Sequence, residues 1–140
     1  MNKSKDEILQ ALDAMRKNTL METLGIEFID VSETGVVARM PVTPRVHQPD
    51  GVLHGGATVA LAESVGSAAA VILLNGEEVA VRGIEISANH VKGIREGYVY
   101  ARAKILHKGR TIQLWSIPIV NDQDELISMV KLTTITLNKQ

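Results

Sequence analysis

Apolar side chains at Ile8, Leu12 and Met15 recur at i, i+4 and i+7, the spacing of one face of an amphipathic helix over about 5–17. Ser4 and Glu7 frame its start as a capping box, in which each side chain satisfies the other residue's free backbone N–H. Thr19 and Glu22 repeat the box and predict a short second turn of helix that Gly25 ends. The pattern then changes period. Runs 26–31 and 36–42 read as strands joined by a tight turn at Glu33-Thr34-Gly35. Pro44, Pro49 and the Asp50-Gly51 pair mark 43–51 as a loop.

A weakly polar helix follows over about 57–74, with Asn75-Gly76 as its end. The rest reads as strands at 77–92, 98–107, 111–120 and 125–137. Arg95-Glu96-Gly97, Lys108-Gly109-Arg110 and 121–124 predict hairpin connections between them. Within one strand Val99, Ala101, Ala103 and Ile105 alternate with Tyr100, Arg102 and Lys104, so one face is apolar and one polar. Short links imply antiparallel pairing. Such a sheet needs a cover for its apolar face, and the central helix is the one candidate long enough. The expectation is an α+β fold in a single domain over 1–140.

The central helix has two faces that both avoid charge. Leu61, Val65, Ala68 and Ile72 form the face toward the sheet. Glu63, Ser67 and Ala70 share the other side, with Gly66 beside them. A solvent-facing stripe would carry Lys, Arg and Glu, yet Glu63 is the helix's one charge. The second face is therefore expected to be buried as well, and another subunit is the expected cover.

A buried carboxylate needs a reason. Taken alone, Glu63 is equally a helix-edge glutamate paired with a surface arginine. Its neighbours point to chemistry. His54-Gly55-Gly56 precedes the helix, where backbone N–H groups at the positive end of the dipole can hold a developing oxyanion. A carboxylate plus an oxyanion site is the minimum equipment for acyl transfer without a Ser or Cys nucleophile. The blander alternatives are a flexible helix entry for the glycines and a helix cap for His54. His47, His90 and His107 show no metal-ligand spacing with His54, so no metal is expected. Gln48 reads equally as a solvated loop amide, and Lys108-Gly109-Arg110 as a hairpin tip or a small anion nest.

Composition narrows the classes. With 140 residues, 45% apolar and 22% charged, the chain is an ordinary globular domain. The absence of cysteine excludes disulfides, a thiolate nucleophile and thiolate metal sites. A net charge of −1 and only four aromatic residues argue against a nucleic-acid binder. Lys3, Lys5, Asp6, Glu7 and Asp13 interrupt any N-terminal apolar run, and 57–74 is rich in Ala, Gly and Ser, so neither a signal segment nor a membrane span is expected. The default location is the cytoplasm.

The run His47-Gln48-Pro49-Asp50-Gly51-Val52-Leu53-His54-Gly55-Gly56, then Ala62-Glu63-Ser64, Ser67 and Ile86-Ser87-Ala88-Asn89-His90-Val91, resembles the signature of hotdog-fold acyl-CoA thioesterases. It is most similar to the branch of the 4-hydroxybenzoyl-CoA, phenylacetate-pathway and 1,4-dihydroxy-2-naphthoyl-CoA enzymes. The resemblance implies an antiparallel sheet wrapped around one long central helix, preceded by an N-terminal helix. It implies homodimers joined edge to edge, or tetramers formed as dimers of dimers, with active sites between subunits. By that likeness Glu63 is nucleophile or general base, and the Gly55 N–H polarises the thioester carbonyl. Gln48 and His54 position carbonyl and water, and Ser67 assists from the partner helix. His90 matches a position lining the acyl pocket, and Arg82, Lys92, Lys108 and Arg110 are candidates for the phosphates of coenzyme A. No cofactor is implied.

The implied activity is hydrolysis of acyl-CoA with an aromatic or medium-chain acyl group. A hotdog hydratase or dehydratase and a non-catalytic acyl-CoA-binding protein are the alternatives. The acyl group, the choice between coenzyme A and acyl carrier protein, and the role of Glu63 stay open at this point.

Overall fold

The computed structural model describes residues 3–74 and 78–139. Helix α1, Lys5–Met15, opens on the expected capping box, with Ser4 and Glu7 each accepting from the other's backbone N–H. Helix α2, Leu20–Leu24, ends at Gly25 in the left-handed conformation. Its own predicted box does not form. The Thr19 hydroxyl turns back to donate to the Arg16 carbonyl, and Glu22 accepts from the Asn18 N–H instead. The tight link from α1 thus captures the hydroxyl that a free helix start would use.

Strands β1, Glu27–Val31, and β2, Gly35–Pro41, form the expected hairpin. One turn of 3-10 helix, Pro44–Val46, lies inside the expected loop. Helix α3, Gly55–Leu73, starts two residues before the predicted span because His54 caps it, which draws Gly55 and Gly56 into the first turn. Its expected end at Asn75-Gly76 lies outside the described residues. Strands β3, Val79–His90, β4, Tyr98–Lys108, β5, Ile112–Val120, and β6, Leu126–Asn138, complete one antiparallel sheet in the order β1-β2-β4-β5-β6-β3.

That order corrects one connection. Arg95-Glu96-Gly97 predicts a hairpin between β3 and β4, but these strands do not pair. Strand β3 lies at the sheet's edge against β6, and 91–97 crosses to β4, which sits between β2 and β5. The turn residues are present, yet Val91 and Lys92 both donate to the Ile127 carbonyl and lead the chain off the sheet. Local turn chemistry does not encode which strand a chain returns to.

Helix α3 crosses the concave face and touches β2, β3, β4, β5 and β6. By length and composition it could cross a membrane; here the sheet curls around it. Leu61, Val65 and Ala68 are buried and Ile72 half-buried, as the periodicity requires. The second face needs less outside cover than expected. Gly66 is buried beneath Leu132 and Ile117, and Ala70 is buried too, so the chain's own sheet covers them. Glu63 and Ser67 on that side stay partly open, as do Val59 and Ala60 one turn earlier.

The core also holds a polar chain with no sequence signal. Trp115 Nε1 donates to Thr134 Oγ1 at 2.9 Å, and Thr134 donates to Gln113 Oε1 at 2.8 Å. All three side chains are buried, so each bond replaces water that cannot enter.

Candidate active site

The first turn of α3 is accounted for donor by donor. His54 Nδ1 accepts from the Gly56 N–H at 2.8 Å. The N–H groups of Ala57 and Thr58 bond to the His54 carbonyl. Of the first four donors, only the Gly55 N–H has no partner among the described residues. The site thus narrows from two glycine donors to one, at the positive end of a 19-residue helix. Since Nδ1 of His54 is an acceptor, the neutral ring carries its proton on Nε2.

Gln48 is brought to the same place by a tight loop. His47 and Leu53 form an isolated antiparallel bridge, and the backbone N–H groups of Gln48 and Gly51 donate to Val52 and Gln48 respectively. The Asp50 N–H donates to the Gln48 side chain, so the atom it meets is the amide oxygen. The amide NH₂ has no partner among the described residues. Gln48, Gly55, Thr58 and His90 line one cavity of about 400 Å³.

The His90 ring lies against Gly55 so closely that a methyl group there would sit 2.7 Å from its Nε2. Its Nδ1 is 2.9 Å from Ser128 Oγ, and that buried hydroxyl donates its one proton to the Asn89 carbonyl. Ser128 can therefore only accept from His90. The proton of the neutral ring is held on Nδ1, and Nε2 faces the site as an acceptor.

Glu63 is not part of this group within one chain. It lies eight residues along α3 from Gly55, about 12 Å at 1.5 Å per residue. Its carboxylate rests over β3 at Gly83, where a methyl group would come within 2.6 Å of Oε2. Among the described residues it accepts no hydrogen bond and joins no ion pair. Ser67, one turn further on, opens into a separate apolar cavity of about 160 Å³ shared with Leu12, Met15, Met21 and Phe28.

The cationic candidates divide. Lys92 borders the Gly55 cavity but is paired with Glu125. Lys92, and then Asn121, hold the Glu125 carboxyl below the usual glutamate range. Arg82 lies eight residues up β3 from His90, about 25 Å at the rise of a strand, and donates to the Val81 carbonyl. Lys108 and Arg110 share that far end, since Lys108 pairs through Gln113 and Thr134 to Gly83, and Thr136 bonds the Arg110 carbonyl. Sequence reasoning missed Thr58, Gly83 and Ser128. Each matters through a neighbour distant in the chain, which no local spacing reports.

Comparison with known proteins bears on this geometry. The Thioesterase superfamily pattern matches residues 50–128. The 1,4-dihydroxy-2-naphthoyl-CoA hydrolase of Escherichia coli is 43% identical over 129 residues, covering 92% of this chain and 94% of that protein. The proofreading thioesterase EntH of Cronobacter turicensis is 40% identical over 129 residues, covering 92% and 93%. Among solved structures, a mutant thioesterase from Pseudomonas aeruginosa superposes with a TM-score of 0.92 at 36% identity, over 99% of this chain and 97% of that one.

Proposed function

This chain belongs to the thioesterase superfamily and has its hotdog fold, and from that premise we propose that it hydrolyses acyl-CoA thioesters in a site completed by two copies of the chain. The coarse activity, thioester hydrolysis, follows from the family. The observation that carries the finer reading is a separation. The Gly55 N–H and the Glu63 carboxylate, neither with a partner among the described residues, stand two helical turns apart, too far to serve one carbonyl from one chain.

A second copy supplies the missing half. Strand β3 spans 12 residues at the edge of the sheet, with β6 on one side and no partner on the other among the described residues. An unpaired edge of that length is a template for another strand. Antiparallel pairing of two such edges about a two-fold axis near Ile86 and Ser87 would set Gly83, beneath Glu63, opposite the partner's His90. Glu63 of one subunit then faces Gly55 of the other. The same rotation would carry Arg82, Lys108 and Arg110 toward the partner's site, where they would meet the phosphates of coenzyme A.

The chemistry follows from the parts. The Gly55 N–H and the Gln48 amide donate to the thioester oxygen and stabilise the charge that develops there. Each such donor contributes about 3 kcal/mol of barrier lowering. Glu63 takes a proton from water as that water attacks the carbonyl carbon, or attacks that carbon itself to form a mixed anhydride that a water then hydrolyses to free acid and carboxylate; both routes need the same placement. The carbon–sulfur bond breaks, the thiolate departs, and the acid is released. His54 Nε2–H and Ser67 orient the water. The apolar cavity at Ser67 suits an apolar acyl group, and the naphthoyl-CoA name of one relative supports an aromatic one. A dehydratase would need an acid and a base astride two carbons, which the Gly55 and Glu63 pair does not resemble.

Glu63→Gln tests the assignment. It keeps shape and removes charge, so kcat on aryl and medium-chain acyl-CoA should fall about 10²–10⁴-fold with the fold retained. Turnover within about threefold of wild type would overturn it, since that is far below the loss of a positioned base.

A further inference from the structure

We propose that Arg95 is a positioning residue for hydrolysis, holding the loop 47–51 so that Gln48 presents its amide donors beside Gly55. This rests on the role of Gln48 given above. Arg95 lies on the crossover 91–97, remote in sequence from the loop it touches. Its Nη1 donates to two successive carbonyls, Asp50 at 3.1 Å and Gly51 at 3.3 Å. In return His47 Nε2 lies 2.9 Å from the Arg95 carbonyl, so that nitrogen carries the proton and donates. The Leu53 N–H donates to the carbonyl of Ile94, next to Arg95. The loop is thus tied to the crossover at both ends and at its apex.

The link to Gln48 runs through one residue. The Asp50 N–H fixes the Gln48 amide oxygen, and the Asp50 carbonyl is fixed by Arg95. The turn is one that needs holding. Gly51 has a φ of +80°, and a methyl group on it would lie 3.0 Å from the Arg95 guanidinium. Without Arg95, water would take both exposed carbonyls, Asp50 would be free to turn, and the Gln48 amide could rotate its oxygen toward the substrate oxygen. A donor would then become a repelling acceptor. Bonds from a charged donor are stronger than neutral ones, which suits Arg to this task.

A double-mutant cycle on the intact protein separates this from a general structural role. Arg95→Met keeps the alkyl stem and removes the donors. We expect kcat on an aryl-CoA substrate to fall about 5- to 30-fold with KM little changed, as small misplacement of a catalytic group does. The double variant Gln48→Ala, Arg95→Met should turn over within about twofold of Gln48→Ala alone, because the second change then has nothing left to displace. Multiplying effects in the double variant would show that Arg95 acts elsewhere and overturn the proposal. So would a near-normal Arg95→Met beside a slow Gln48→Ala. A near-normal Gln48→Ala would overturn the role of Gln48 itself, and the clamp with it. Circular dichroism checks folding; if Arg95→Met does not fold, Arg95→Gln enters the same cycle with the same expected outcomes.

Discussion

Gly83 shows how much a residue without a side chain can decide. Its Cα is the floor on which the Glu63 carboxylate rests, with no room for a methyl group below Oε2. Gly83→Ala suits a strand at least as well as glycine does, so the fold should persist. The carboxylate must move, and kcat should fall about tenfold or more with KM little affected, by the same sensitivity to misplacement. Steady-state kinetics beside a melting curve checks this; an unchanged kcat would mean that Glu63 works from another position. Gln48, Gly55 and Glu63 stand out in the sequence because each belongs to a short local run. Gly83, Ser128 and Arg95 do not, because what they do depends on a neighbour that only the folded sheet supplies.

At the scale of elements, the periodicities report what lies within a segment and not what lies between segments. The capping box of α1, the alternation in β4 and the buried stripe of α3 are all readable from spacing. The false hairpin at Arg95-Glu96-Gly97 and the lost box at Thr19 are failures of the other kind, decided by contacts outside the segment. The bond between β5 and β6 through Trp115, Thr134 and Gln113 is equally non-local. Thr134→Val keeps the volume but strands the buried Trp115 N–H, which should cost about 1–3 kcal/mol. Urea unfolding should show that loss while turnover per folded molecule stays near wild type. A second test concerns the crossover. Glu125, held below its usual range first by Lys92 and then by Asn121, stabilises the fold above the unfolded glutamate range and ceases to as the pH falls through its lowered value. Wild type should melt slightly higher than Glu125→Gln at neutral pH, and the gap should close in acid. The margin is small because both partners are exposed.

For the whole molecule, an antiparallel sheet covered by one apolar helix was legible from the patterning, and the hotdog architecture from the resemblance carried by the runs 47–56 and 86–91. The assembly was less so. The charge-free second face of α3 suggests a broad subunit contact, yet Gly66 and Ala70 are covered from within, and the edge of β3 is the more telling surface. Charge removal at Lys108 and Arg110 together should raise KM more than it lowers kcat, because phosphate binding is largely uniform between ground and transition states. An unchanged KM for acyl-CoA would retire those two residues as phosphate contacts.

In the proposed assembly each site draws Glu63 from one subunit and Gln48 and Gly55 from another. Two variants, Glu63→Gln and Gln48→Ala, are each impaired alone. Co-expressed with different tags and purified through both, they form a mixed dimer. If the site is shared, one of its two sites receives Glu63 and Gln48 intact, and the other carries both changes. The mixed dimer should then recover about half the wild-type kcat, far above either parent, the ordinary signature of complementation across a two-fold interface. Activity no higher than the mean of the two parents would place Glu63 and Gln48 of one chain in the same site and contradict it.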